Sequence, residues 1–190
     1  MKKLLVTFVL LVCSVISFAQ TEQHMKFKGI PMEGTLQSFT KKLEAKGYKT
    51  LSIKDAQAVL TGEFGGYENC NIAVVSEKGT QIGMVAVLFP PMDKWTNLFG
   101  CYHLFKNMLI EKYGNPHTCV EEFQRGYIND DHDRMYELRM DRCNYKTVFL
   151  LEKGIIQLEI VHTLLGCYVD LAYIDKITIN KSLQKNIDDL

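Results

Sequence analysis

Two thiol and imidazole combinations and one carboxylate cluster are the places where residue type and spacing allow chemistry. In "GCYH", Cys101 and His103 would supply a thiolate and its base. On a helix, residues two apart point away from each other, so this pair needs help from another part of the chain. Cys167, in a second "GCY", falls on a strand and has His162 shortly before it. A buried, inert thiol is the competing reading for both cysteines. In "NDDHDR", Asp130, Asp131, His132 and Asp133 offer ligands for a hard cation, yet the run lacks the alternate spacing and the glycine of a calcium loop, and reads as a solvated turn. The chain has no Gly-x-Ser-x-Gly elbow, phosphate-cradling glycine loop, zinc-spaced Cys/His set or His-Glu-x-x-His. With no complete catalytic constellation, the expectation is a non-catalytic protein without metal or cofactor. A small exported enzyme using Cys101 or Cys167 with His103 or His162 is the alternative.

The opening "MKKLLVTFVLLVCSVISFAQ" has the three parts of an export leader: Lys2 and Lys3, an apolar run, then small residues at Ser17 and Ala19. It is expected to be removed as residues 1–19, placing the product in the periplasm or outside the cell. The apolar run is shorter than the about 20 residues of a spanning helix. Val12 stands before Cys13 where a lipoprotein signal carries a small residue. No membrane span is therefore expected after cleavage. Lys and Arg number 22 against 22 Asp and Glu, so nothing favours nucleic acid, which needs a clustered basic surface. Beyond the leader, Cys70, Cys101, Cys119, Cys143 and Cys167 are odd in number, which leaves at least one thiol free and the pairing open. Cys119 and Cys143 flank a hairpin-like stretch. If Phe123 shares a side with Leu138 and Met140, however, the two cysteines fall on opposite faces of a sheet.

These residues need a scaffold, and its pattern is legible. Thr35 caps a helix with Leu36, Phe39 and Leu43 on one face and Gly47 as its stop. "AQAVLTGEF", "NIAVVS" and "QIGMVAVLF" follow as strands, the last two joined by Glu77-Lys78-Gly79-Thr80, with Gly79 free to adopt positive φ. The last strand is apolar on both sides and should be central. After Pro90-Pro91, Asp93 is a candidate cap for a longer helix through Trp95, Leu98, Tyr102, Phe105 and Leu109 that "YGNP" ends. Strands near Thr118–Phe123, in "MYELRM", "YKTVFLL", "IIQLEIVH" and "CYVDLAYI" complete the pass. The order predicts a single α+β domain over 20–190. It consists of two tandem helix-plus-antiparallel-hairpin units, pseudo-repeats over about 26–91 and 92–180, sharing an antiparallel sheet with helices on one face, and a charged tail follows. "NCNIAVVSEKG" at 69–79 and "NYKTVFLLEKG" at 144–154 echo each other. The helix stops Gly47 and Gly114 are closer in sequence than these echoes are, so the second unit should hold about eight extra residues, most simply in "GYINDDHDR".

"FKGIPMEGTLQSFTKKLEAKGY", "VAVLFPPMDKW" and "EKYGNP" resemble exported, uncharacterised proteins of Gram-negative bacteria. The helix-then-hairpin tandem is similar in topology to the β-lactamase-inhibitor-protein and SmpA-like fold. That resemblance implies non-catalytic surface recognition on the open face of a sheet. The chain departs from that fold in having one defensible helix per unit rather than a pair, and no lipobox. Strand alternation then selects the open-face candidates: Gln157 and Glu159 opposite the Ile156, Leu158, Ile160 side, Tyr168 and Asp170 opposite Val169 and Leu171, and Glu137 and Arg139 in "MYELRM". The expected partner is a protein, peptide or envelope component, with the oligomeric state unspecified. A carrier of an apolar ligand held between helices and sheet is a further alternative.

Overall fold

The computed structural model describes residues 24–77, 79–126 and 128–180. The expected leader, the charged tail from Lys181, Lys78 of the first Glu-Lys-Gly turn and Tyr127 lie outside the described residues. Two short strands come first, β1 (Lys26–Phe27) and β2 (Ile30–Pro31), paired antiparallel. Lys28 and Gly29 between them both take positive φ, as a two-residue hairpin turn requires. Helix α1 (Leu36–Glu44) starts where Thr35 accepts a hydrogen bond from the Ser38 amide, and it buries Leu36, Phe39 and Leu43. Strands β3 (Lys49–Lys54), β4 (Gln57–Phe64), β5 (Tyr67–Glu77) and β6 (Gln81–Leu88) then run as an antiparallel meander.

Helix α2 (Trp95–Tyr113) opens the second half. It is followed by β7 (Thr118–Phe123), helix α3 (Asp131–Arg139), β8 (Cys143–Leu151), β9 (Gly154–Thr163) and β10 (Gly166–Asp175). The sheet order is β3-β4-β5-β6-β10-β9-β8-β7, antiparallel throughout, so the last strands of the two meanders meet at its centre. The fold is α+β, two helix-plus-hairpin units sharing one sheet, as the sequence pattern indicates. Strand β6 is central because both its sides are apolar. A bulge near Gly83, where Val75 faces Met84 but Ser76 faces Ile82, turns Ile82 to the helix side.

Helices α1, α2 and α3 and the β1–β2 hairpin pack on one face of the sheet. Leu60, Ile72, Val74, Val85, Val87, Ile156, Leu158 and Leu171 point into this layer and are essentially inaccessible. Each contributes on the order of 2 kcal/mol by leaving water. Phe64 and Phe89 from the first half meet Phe105 of α2, with the Phe89 and Phe105 rings 4.5 Å apart. Tyr102 shares a buried hydrogen bond with Thr147, tying α2 to β8.

Several expectations change. "MYELRM" belongs to a helix. Asp130 caps α3 by accepting from the Asp133 amide, and Met135 and Leu138, three apart, are the buried apolar pair. Helix α2 has no side-chain cap at its own start; Asp131 accepts from the Thr96 amide and hydroxyl instead. Cys119 and Cys143 lie on the same face, because Cys119 opposes Thr147 and Cys143 opposes Phe123. Four residues of strand separate them, about 13 Å, which is too far for a disulfide. The two Glu-Lys-Gly turns occupy different places: the first joins the third and fourth strands of its meander, the second joins the second and third. The extra residues of the second half therefore amount to a whole helix between β7 and β8, where the first half has a tight turn between β3 and β4.

Candidate functional site

The buried residues of α1, α2 and α3 join a core on one face of the sheet, and strand register arranges the residues of the opposite face in rows. One row reads Asn71, Leu88, Asp170, Glu159, Lys146 across β5, β6, β10, β9 and β8. The next reads Val59, Ala73, Ala86, Ala172, Gln157, Val148. Three alanines in line over the central strands make a shallow apolar floor, because neighbouring strands stand about 4.8 Å apart and no side chain there rises beyond a methyl. The adjacent row is charged. Lys146 pairs with Glu159, and Glu159 faces Asp170 directly across the β9–β10 ladder.

Asp170 is the anomaly of this face. Its Oδ1 is buried with no hydrogen-bond partner among the described residues. Burial, with the Glu159 charge adding to it, pushes the carboxyl up to about 6, against some relief from the Leu171 amide. A buried polar atom without a partner is rare in folded proteins. Tyr168 lies two residues along the same strand on the same face, opposite Val161, and is itself almost wholly covered.

Four of the six predicted residues, Gln157, Glu159, Tyr168 and Asp170, are thus brought together on β9 and β10. The other two are elsewhere. Glu137 is 3% exposed on α3, gripped by the Arg142 guanidinium at 2.7 and 2.9 Å with Arg125 at 3.5 Å. The Arg142 bonds hold its carboxyl below the usual range. Arg139, at the end of the same helix, reaches the Cys167 thiol on the helix-covered side. Neither lies on a strand, because an alternating pattern over six residues fits one and a half turns of helix as readily as a strand.

Burial raises the thiols of Cys70, Cys101, Cys143 and Cys167. Cys101 is 1% exposed and bonded to Tyr67, and burial lifts it to about 12; Cys70 and Cys143 are pushed to about 11 and 12 by the same cause. His103 points outward, stacked on Phe99 and bonded to Asn107. Cys167 and His162 do face each other across β10 and β9, yet burial raises the Cys167 thiol as well. Asp130, His132 and Asp133 converge closely enough to hold an ion, but all three are exposed and their geometry is already used to start α3. Among the described residues no helix is long and apolar enough to cross a membrane.

No family model, curated protein or solved structure matches this chain.

Proposed function

We infer that this is an exported, non-catalytic binding protein. The open face of its sheet receives a protein or peptide segment that lays small apolar side chains on the alanine floor and presents a cationic donor to Asp170 and Glu159. The observation that carries this reading is the buried Oδ1 of Asp170, without a hydrogen-bond partner among the described residues, on the face opposite the helices. An arginine or lysine from a partner would satisfy that atom and offset the two facing carboxylates at once. The topological resemblance to inhibitor-type sheets agrees with it, and export rests on the leader sequence.

The test is capture from envelope extract by wild type and by a Gln157→Ala, Glu159→Ala, Tyr168→Ala variant, followed by titration of the captured segment at several pH values. Wild type should retain a partner that the variant loses. Affinity should strengthen as pH rises through about 6, where Asp170 ionises. Identical partners for both proteins, or none for either, would remove the proposal. A second reading, thiol chemistry, draws on the facing of Cys167 and His162. If neither Cys167 nor Cys101 reacts with a thiol-selective label in the folded protein, that reading ends.

A further inference from the structure

On the helix-covered side, a cavity of about 620 Å³ opens between the β1–β2 hairpin, the C-terminal turn of α2 and the β8–β9 turn. Its floor is Met25, Phe64, Tyr113, Leu151 and Tyr173, and its rim carries Lys26, Lys28, Lys112 and Lys153 against a single acid, Glu152. Two rim ammonium groups stand over rings of the floor: Lys28 at 5.3 Å from the Phe64 centroid, Lys112 at 5.0 Å from that of Tyr113. Positive charge is thereby held at the boundary between apolar floor and solvent. The volume lies within the range of about 300–1,000 Å³ usual for small-molecule sites.

We propose that this cavity binds an amphipathic anion, its apolar body on the aromatic floor and its carboxylate or phosphate head among the rim lysines. A cation is disfavoured by the four lysines, and a wholly polar anion gains nothing from five apolar or aromatic floor residues. Attraction between the head and the ammonium groups is strengthened where low-dielectric walls replace water on one side. The site is on the opposite side of the sheet from Asp170, so it is independent of the open-face reading.

Calorimetric titration of the folded protein with dodecanoate, dodecyl phosphate, dodecyltrimethylammonium and inorganic phosphate, each below micelle formation, tests this. Binding of either anionic probe at one per chain, at least tenfold tighter than the cationic probe and than inorganic phosphate, is the expected result; which of the two binds names the head group. Lys28→Glu with Lys112→Glu should weaken that binding at least tenfold. Lys41→Glu with Lys42→Glu, an equal charge change on exposed α1, should leave it unaltered. All four lysines are exposed, and a far-UV spectrum confirms each fold. Equal affinity for the cationic probe, equal losses in both double variants, or no binding of either anion would overturn the proposal.

Discussion

Asp170 and Asp175 stand on the same strand, β10, but on opposite faces of the sheet, and their surroundings treat a carboxylate in opposite ways. Asp175 is fully buried on the helix side and accepts four hydrogen bonds: from the Met25 amide at 2.7 Å, His24 Nδ1 at 3.0 Å, and the Thr178 amide and hydroxyl at 3.2 and 3.3 Å. It joins the start of the described chain to its end. Asp170 has a buried oxygen with no hydrogen-bond partner among the described residues. The difference separates a carboxylate the fold depends on from one the fold merely tolerates, and the tolerated one sits on the face opposite the helices.

The largest effect expected along this comparison is at Asp175. Asp175→Ala strands the Met25 and Thr178 amides and should cost about 3–4 kcal/mol, read by urea denaturation. It should also loosen the β1–β2 hairpin that walls the lysine-rimmed cavity. Next is Gly154→Ala beside it: a Cβ there would run into the Ile174 carbonyl oxygen, a main-chain atom that cannot step aside. A loss of about 2–3 kcal/mol is expected, with reduced amide protection at the β9–β10 end of the sheet.

Asp170→Asn should act with the opposite sign. The folded pKa of about 6 lies above the ordinary carboxyl value of 3.8, so the native state holds this proton more tightly than the unfolded chain does. Stability from this group is therefore gained as pH falls from above 6 towards 4, and ionisation is a standing cost at higher pH. The variant should be more stable than wild type by on the order of 1–3 kcal/mol near pH 7.5, the difference fading near pH 4.5 in parallel melts. A constant difference across that range would break the contrast with Asp175. The smallest effect is at Lys146→Met, which frees the Glu159 charge facing Asp170. It should raise the Asp170 titration midpoint further, seen by carboxyl NMR, while stability moves by less than about 1 kcal/mol.

Much of this contrast could be read in the chain beforehand. The caps and stops of α1 and the apolar spacing of α2 follow from local chemistry. Once helices cover one side, strand parity alone assigns Gln157, Glu159, Tyr168 and Asp170 to the other. Glu137 and Arg139 escaped because their segment is short and its deciding signal lies upstream: Asp130 as cap, with Asp131 and Asp133 in the first turn. That Glu137 is buried depends on Arg142 and Arg125, which only tertiary structure brings to it. The Glu-Lys-Gly echo misled for a physical reason too. Gly79 adopts φ +76 with open space where its side chain would be, whereas Gly154 is required by the close approach of β10. The same three letters serve a turn's dihedral angle in one place and clearance between backbones in the other.

The passage from β6 to α2 has an implication for assembly. Phe89 and Met92 donate their amides to the Val169 and Cys167 carbonyls, so this connector, with Pro90-Pro91 in its middle, lies zipped along the start of β10. The other links between the two halves are non-covalent, among them the β6–β10 ladder, the aromatic contacts of Phe105, and the bonds from Met25 to Asp175 and from Thr178 to Ile82. Were the connector to straighten, two molecules could trade halves and rebuild every one of those contacts between chains. Refolding from concentrated solution should therefore yield an intertwined dimer, separable by size and slow to revert, whose subunits each preserve the monomer's architecture.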